Sequence, residues 1–517
     1  MAGAYTAAMV QVRVVEVLAA VSLTTDLASG LPFEKGLQTC AVATSFARSL
    51  GLAAPELDIV FHAALLRSIG CTAYASENAE FFGDDVRFQR ALKEIDVADP
   101  AQLRRFGDWA PAGEQPVLAA RFREIAPVEG PRAVRAGCAV AHALAPRLGL
   151  PAGVAAALDD VYERWDGHGF PGRVGGDDVS LAIRIVHVGE QAVLAYHAGG
   201  APAAVDEVSR RAGGHLDPDL VDAFRRAAET HLDPLRADDA LAAVVRAEPR
   251  ALAPAGPDEL LTLSRALAVV VDLKGRFLLG HSSHVAGLAS TAGRLAGLSD
   301  TSGTDLEVAG LLHDIGRVGV PSTVWDRPGP HSSADWERIR LHPYWTERVL
   351  RRCPPLAHLA DLAAAHHEHL DGTGYHRGAR AAELSPAQRL LAAADAFAEL
   401  TEPRPDRPAL DPDAAARLLN VESRAGRLDA DACAAVVEAS GLPRRPAAYP
   451  ADLSAREVDV LRLAARGLSN KQIAAELSLS DRTVGNHLAR VYDKIGSRTR
   501  AGAAVFAIEH GLLPARD

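Results

Sequence analysis

One ten-residue phrase occurs twice in altered form, and it restricts the possible folds more than any other feature. ERWDGHGFPG at 163–172 returns as EHLDGTGYHR at 368–377, so that Glu163, Asp166, Gly167 and Gly169 reappear 205 positions later as Glu368, Asp371, Gly372 and Gly374. At the same offset Arg184 and Glu190 fall on Arg389 and Asp395; a second echo, at an offset of 246, pairs ALLRSIG at 64–70 with GLLHDIG at 310–316. Self-similarity over so long a period means that one folding unit is used twice. Two Pro/Ala/Gly-rich stretches, RAEPRALAPAGPDE at 246–259 and SGLPRRPAAYPADLS at 440–454, join helix breakers to turn formers and read as linkers. They divide the chain into domains at 1–250, 251–445 and 446–517, the first two being the copies.

Aromatics make up only 5% of the 517 residues and apolar residues 48%, with Ala and Leu abundant, a balance that favours helical over sheet cores. An all-α fold is expected. Five cysteines without a CxxC pair indicate neither a disulfide framework nor a zinc-thiolate site, so the chain is read as reduced and cytoplasmic. The N-terminus lacks a signal-peptide pattern, and no apolar run reaches the roughly 18 residues that span a bilayer, so no membrane partner is expected. A net charge of -11 excludes a protein coated in nucleic acid; any DNA contact should be confined to one module.

The copies differ where chemistry would reside. His313 and Asp314 correspond to Arg67 and Ser68, and His366 and His367 to Val161 and Tyr162. The shared glycine loop persists where the His/Asp groups are missing, which weakens the view that those histidines merely pack a core. In EVAGLLHDIGRVGVP, 307–321, Val308, Leu311, Leu312 and Ile315 have helical spacing and the glycines end the helix, which puts His313 and Asp314 near the end of a buried helix. An adjacent imidazole and carboxylate can serve one metal ion or two neighbours. GHSSHVAGLA adds His281, LHP adds His342, HHEH adds His366 and His367, and AAADAF adds Asp395, a carboxylate that is expensive to bury unless paired or metal-bound.

This order, H…HD…H…HH…D with HHExxDGxGY inside it, resembles the HD-GYP branch of the HD-domain metal-dependent phosphohydrolases over about residues 260–405. The resemblance implies a helical bundle holding two divalent metal ions, iron or manganese, with His281, His313, Asp314, His342, His366, His367 and Asp395 as ligands. It further implies a phosphodiester substrate such as a cyclic dinucleotide, with Asp314 and Arg317 in the catalytic machinery. Arg317 stands where the family usually has lysine, His376 replaces the proline of GYP, and no Glu lies within one turn before His281 to complete a third metal site. The first copy resembles a degenerate HD-GYP domain that lacks these ligands, suited to dimerisation, ligand sensing or support.

In the last segment, Ser454 with Glu457 and Ser469 with Gln472 form capping boxes that mark two helix starts. A third helix is expected from about Asp481 to Ile495, with Ile473, Ala474, Leu477, Val484, Leu488 and Val491 facing inward as in a helix-turn-helix. LSAREVDVLRLAARGLSNKQIAAELSLSDRTVGNHLARVYDKIGSRTR closely resembles the four-helix LuxR-type DNA-binding domain. That implies a homodimer on double-stranded DNA, with Asn486 at base edges and Lys471, Arg482, Thr483, Arg490, Lys494 and Arg498 at bases or phosphates. Gly485 stands where the family commonly has a basic residue, and His487 reads as structural. The expected protein is a DNA-binding regulator whose metal-bearing domain binds or hydrolyses a phosphorylated nucleotide. A primary phosphodiesterase and a non-catalytic metal or nucleotide sensor remain the alternatives.

Overall fold

The computed structural model describes residues 12–111, 113–443 and 447–513; part of the second linker, 444–446, lies outside them. Every regular element among the described residues is a helix, and extended pairing is limited to isolated bridges, so the all-α expectation is met. No helix of the described residues is long and apolar enough to cross a membrane. The helices form two compact units. The first runs to Arg276 and includes Ile315–Asp326 and Val349–Ala357; the second comprises Phe277–Asp314, Arg327–Arg348 and the chain from His358.

In the first unit the helix Val14–Ala28 is apolar on every side and buried, as Val15, Leu18, Ala19, Ala20 and Leu23 show, which is the pattern of a central helix. Lys35–Ser49, Ala54–Leu66 and Leu181–Arg210 pack with one another, the last broken at Gly199 and Gly200. A separate aromatic cluster joins Phe82, Phe88, Phe106 and Phe122, with the Phe82 and Phe88 rings stacked at 4.3 Å. Residues beyond the first linker belong to this unit for an electrostatic reason. The buried ammonium of Lys274 pairs with the buried carboxylate of Asp85, which also accepts from Ser322 N at 2.8 Å, while Ser322 Oγ donates to Lys274 O at 2.9 Å. Neither charge could be buried without the other.

Each unit contains its copy of the glycine loop, and the two loops are built alike. Glu163 accepts from Gly172 N and Arg173 N; Glu368 accepts from Arg377 N and Ala379 N. Asp166 caps His168 N at 3.0 Å, and Asp371 caps Thr373 N at 2.9 Å. A Cβ on Gly169 would stand 2.5 Å from Glu163 Cα, and one on Gly374 would stand 2.6 Å from Glu368 Cα, so both positions exclude any side chain. The repeat read from the sequence is thus a repeat of backbone geometry.

In the second unit, His281–Leu295 and Asp300–Leu312 cross so closely that a Cβ on Gly310 would lie 2.7 Å from Ala286 Cα. Pro386–Thr401 and Ala430–Ala439 pack against His281–Leu295. Asp300–Leu312 ends just before His313, and a short 3-10 turn, Ile315–Gly319, follows. The four C-terminal helices, Ala455–Ala465, Asn470–Glu476, Asp481–Ile495 and Arg500–Glu509, close this unit.

Candidate functional site

Five separate stretches of the second unit bring the seven expected side chains together. His281 opens one helix, His313 and Asp314 follow the end of the next, His342 opens His342–Arg352, His366 and His367 precede the glycine loop, and Asp395 lies inside Pro386–Thr401. All but the half-buried His367 are buried. Asp314 stands at the centre. Its Oδ2 is 3.6 Å from His281 Nε2 and 3.5 Å from His313 Nε2, and its Oδ1 is 3.4 Å from His342 Nε2 and 3.5 Å from His366 Nε2. Asp395 repeats the pattern, with Oδ1 3.3 Å from His281 Nε2 and 3.5 Å from His313 Nε2, and Oδ2 3.6 Å from His367 Nδ1. Two ligand sets result, His281/His313/Asp314 and His342/His366/His367, each with its donor atoms within 4.8 Å of one another.

The hydrogen bonds behind these rings fix which nitrogen faces inward. Nδ1 of His313, His342 and His366 each meets the carbonyl three residues earlier, Gly310 at 2.7 Å, Ile339 at 2.6 Å and Ala363 at 2.7 Å. A nitrogen facing a carbonyl must carry the proton, which leaves the Nε2 lone pair pointing into the site. His342 Nε2 and His366 Nε2 are then only 2.9 Å apart, a separation that two lone pairs tolerate only with a cation or proton between them. His281 Nε2 and His313 Nε2 are buried with no hydrogen-bond partner. These donors suit a divalent cation of borderline softness.

The local electrostatics agree. Burial opposes charge on His281, yet the flanking carboxylates of Asp395, Glu402 and Asp314 outweigh it and raise the imidazole to about 10. Burial likewise opposes ionisation of Asp395, but His281 and His313 hold it well below the usual carboxylate range. Buried carboxylates here demand positive charge.

The residue that sequence reading missed is Glu402. Its Oε2 accepts from His281 Nδ1 at 2.8 Å and its Oε1 from His284 Nδ1 at 2.9 Å, so a carboxylate 121 positions later orients His281 from behind. The other extra histidines pair elsewhere: His369 Nδ1 meets Thr373 Oγ1 at 3.1 Å, and His376 Nε2 lies 3.2 Å from Glu347. Arg317 belongs to the first unit, where it is buried with its guanidinium 4.3 Å from the Trp325 ring centre.

In the C-terminal helices, Ser454, Ser469 and Ser480 cap three helix starts, the first two as reciprocal capping boxes. Val460, Ala464, Ile473, Ala474, Val484 and Leu488 form one small core, and Val491 joins a second with Leu461 and Ala507. On Asp481–Ile495 the exposed Arg482, Asn486 and Arg490 recur every fourth residue and so share one face. Lys471 and Arg498 are exposed. Two of the expected DNA contacts are engaged within the protein: Thr483 Oγ1 pairs with Ser480 Oγ at 2.7 Å, and Lys494 Nζ donates to Glu457 and to Asp452 O, both at 2.7 Å.

With this geometry established, the comparisons with known proteins identify two regions of the chain. Residues 265–432 match the HD domain, and residues 451–507 match the bacterial regulatory proteins of the luxR family. The chain carries an HD domain and a luxR-family domain. The HD-domain chain is 29% identical over 432 residues to 3'3'-cGAMP-specific phosphodiesterase 3 of Vibrio cholerae serotype O1, covering 82% of this chain and 94% of that one. The likeness therefore reaches well beyond the matched HD domain. A cyclic di-GMP phosphodiesterase of Thermotoga maritima is 32% identical over 127 residues, 24% of this chain and 34% of that one. The crystal structure of a cyclic GMP-AMP specific phosphodiesterase of V. cholerae covers 84% of this chain and 99% of its own with a TM-score of 0.58 at 24% identity, a likeness of fold.

Proposed function

We propose that the protein is a metal-dependent phosphodiesterase acting on a cyclic dinucleotide, joined to a DNA-binding module that it regulates. One observation carries the reading: Asp314 turns one oxygen to each of two histidine pairs, so a single carboxylate spans two cation positions. His281, His313, Asp314 and Asp395 would hold one divalent ion, iron or manganese, and His342, His366, His367 and the second oxygen of Asp314 the other. Paired ions supply an activated water and neutralise charge on the phosphoryl oxygens. The carbonyls behind His313, His342 and His366, and Glu402 behind His281, keep the four imidazoles in one tautomer and orientation. The relatives named for cyclic dinucleotides support the substrate class.

The three-domain division at 250 and 445 is retained in this reading, with the last domain acting as a homodimer on double-stranded DNA in the cytoplasm. Asn486 would read a base edge, flanked by Arg482 and Arg490 on the same face, with Lys471 and Arg498 at phosphates.

Purified full-length protein assayed for bound metal and for hydrolysis of 3'3'-cGAMP, cyclic di-GMP and bis(p-nitrophenyl) phosphate, beside a His313→Ala/Asp314→Ala variant, tests the site. Bound metal with turnover lost in the variant is the expected result. A metal-free wild type would sink the two-ion site; bound metal without turnover above the variant would replace the enzyme with a sensor.

A further inference from the structure

The first unit has a cavity of about 180 Å³ at the place where the second unit gathers its histidines. The positions correspond one by one. Lys35 opens its helix as His281 opens its own, Arg67 and Ser68 stand for His313 and Asp314, Val161 and Tyr162 for His366 and His367, and Glu190 for Asp395. What fills the space is positive charge carried by side chains. Lys35 and Arg67 both pair with Glu190, and all three are buried.

Lys93 does not complete this set in the same way. Its residue is 7% exposed, yet its Nζ stands 3.9 Å from Glu190 Oε1, beyond hydrogen-bonding distance, and 6.0 Å from the Tyr162 ring centre. The two other cations in the wall are satisfied: Arg164 pairs with Asp96 at 2.8 Å and Asp166 at 2.7 Å, and Arg211 with Glu207 at 2.5 Å. The buried floor therefore sets three basic side chains, Lys35, Arg67 and Lys93, against two carboxyl groups, Glu190 and the nearby Asp26, one more basic group than acidic. Burial, with Arg67 and Lys35 adjacent, pushes the Lys93 ammonium well below its usual range. An arriving anion would relieve that cost.

The walls above this floor are of opposite character. Phe81, Phe82, Phe88, Phe122 and Phe170 line the cavity, an apolar aromatic wall against which a ring can pack. A dry cavity of about 150 Å³ holds benzene, so the space takes one ring and one small anionic group and is too small for a cyclic dinucleotide.

We propose that this cavity is a binding site for a small aromatic anion, one planar ring bearing a phosphate or carboxylate, with Lys93 as the anion's partner and the phenylalanines around the ring. The site is independent of the histidine cluster. Titration calorimetry on the full-length protein with phenyl phosphate and benzoate tests it and distinguishes phosphate from carboxylate. Saturable binding of at least one probe is expected. It should weaken by about tenfold or more in Lys93→Met, the loss of one charge-assisted hydrogen bond, and survive in Lys93→Arg. Ala133→Phe, which fills the cavity without removing a charge, should abolish it, and provides the test if Lys93→Met fails to fold. The His313→Ala/Asp314→Ala variant should bind as wild type does. No saturable binding of any probe at millimolar concentration overturns the proposal. Binding lost in the histidine-cluster variant but untouched by Lys93→Met or Ala133→Phe overturns it equally.

Discussion

Replacing Gly310 by alanine should cost the second unit its cation site without touching a ligand. The new Cβ would lie 2.7 Å from Ala286 Cα, 3.0 Å from Ala286 N and 3.2 Å from Ala286 Cβ, where the obstacle is helix backbone that cannot rotate away. Carbon atoms settle at about 3.5–4.0 Å, so His281–Leu295 and Asp300–Leu312 must part by about 1 Å at their crossing. Overpacking of this kind costs about 1–3 kcal/mol. The larger effect is geometric: His281 rides on one helix and His313 and Asp314 follow the other, while metal ligands must hold position to within about 0.2 Å. Metal retained after dialysis should fall by about tenfold or more, and any phosphodiesterase rate by about a hundredfold, the usual result of a 1 Å misplacement. Gly287→Ala is the control, because a Cβ there meets nothing within 4 Å, and it should stabilise the same helix by up to about 1 kcal/mol. Metal content by mass spectrometry and thermal unfolding, read on both variants, decide the matter. A Gly310→Ala protein that keeps its metal and melts with Gly287→Ala would refute the claim that this helix crossing sets the site.

Glu402→Ala removes the acceptor behind His281 and should lower metal affinity about 10- to 100-fold, with little change in the melting of metal-free protein; equal metal retention would show that Glu402 only neutralises His284. Arg482→Ala should weaken DNA binding on all sequences and reduce the salt slope by about 1, whereas Asn486→Ala should relax discrimination at one base pair, measured by fluorescence anisotropy across salt concentrations. Lys494→Met should destabilise the C-terminal helices by about 1 kcal/mol, because Glu457 loses its ammonium partner and keeps only its hydrogen bonds from Ser454; a stability equal to wild type, with only DNA binding lost, would return Lys494 to the phosphate contacts. Cys40, Cys71, Cys353 and Cys433 are buried and Cys138 is half-buried, so a thiol reagent should label at most one cysteine before unfolding and five after it.

The sequence carried the seven clustered residues because each belongs to a local pattern: a histidine beside a carboxylate at a helix end, two histidines ahead of a glycine loop, one aspartate in an apolar helix. Glu402 had no such mark. It lies in the run TEPRPDR just after a helix, where a glutamate reads as solvated, and only the fold brings it to His281. Lys93 was hidden for the same reason, since a lone lysine near the end of RALKE suggests an exposed face, and its burial depends on the packing of Phe88 and Phe122 nearby. The correspondence of Lys35 with His281 carries no shared residue type, only the 246-residue offset of the ALLRSIG/GLLHDIG echo and a place at the start of a fifteen-residue helix. Once those positions are matched, the two units answer one electrostatic problem. Each buries a carboxylate, Glu190 or Asp395, in the middle of a helical core, at a cost no domain bears unless positive charge is supplied. The first unit supplies it with Lys35 and Arg67, built into the chain. In the second the same positions are imidazoles with Nδ1 already engaged, so their Nε2 atoms can answer the carboxylates either by taking a proton or by binding a cation from outside.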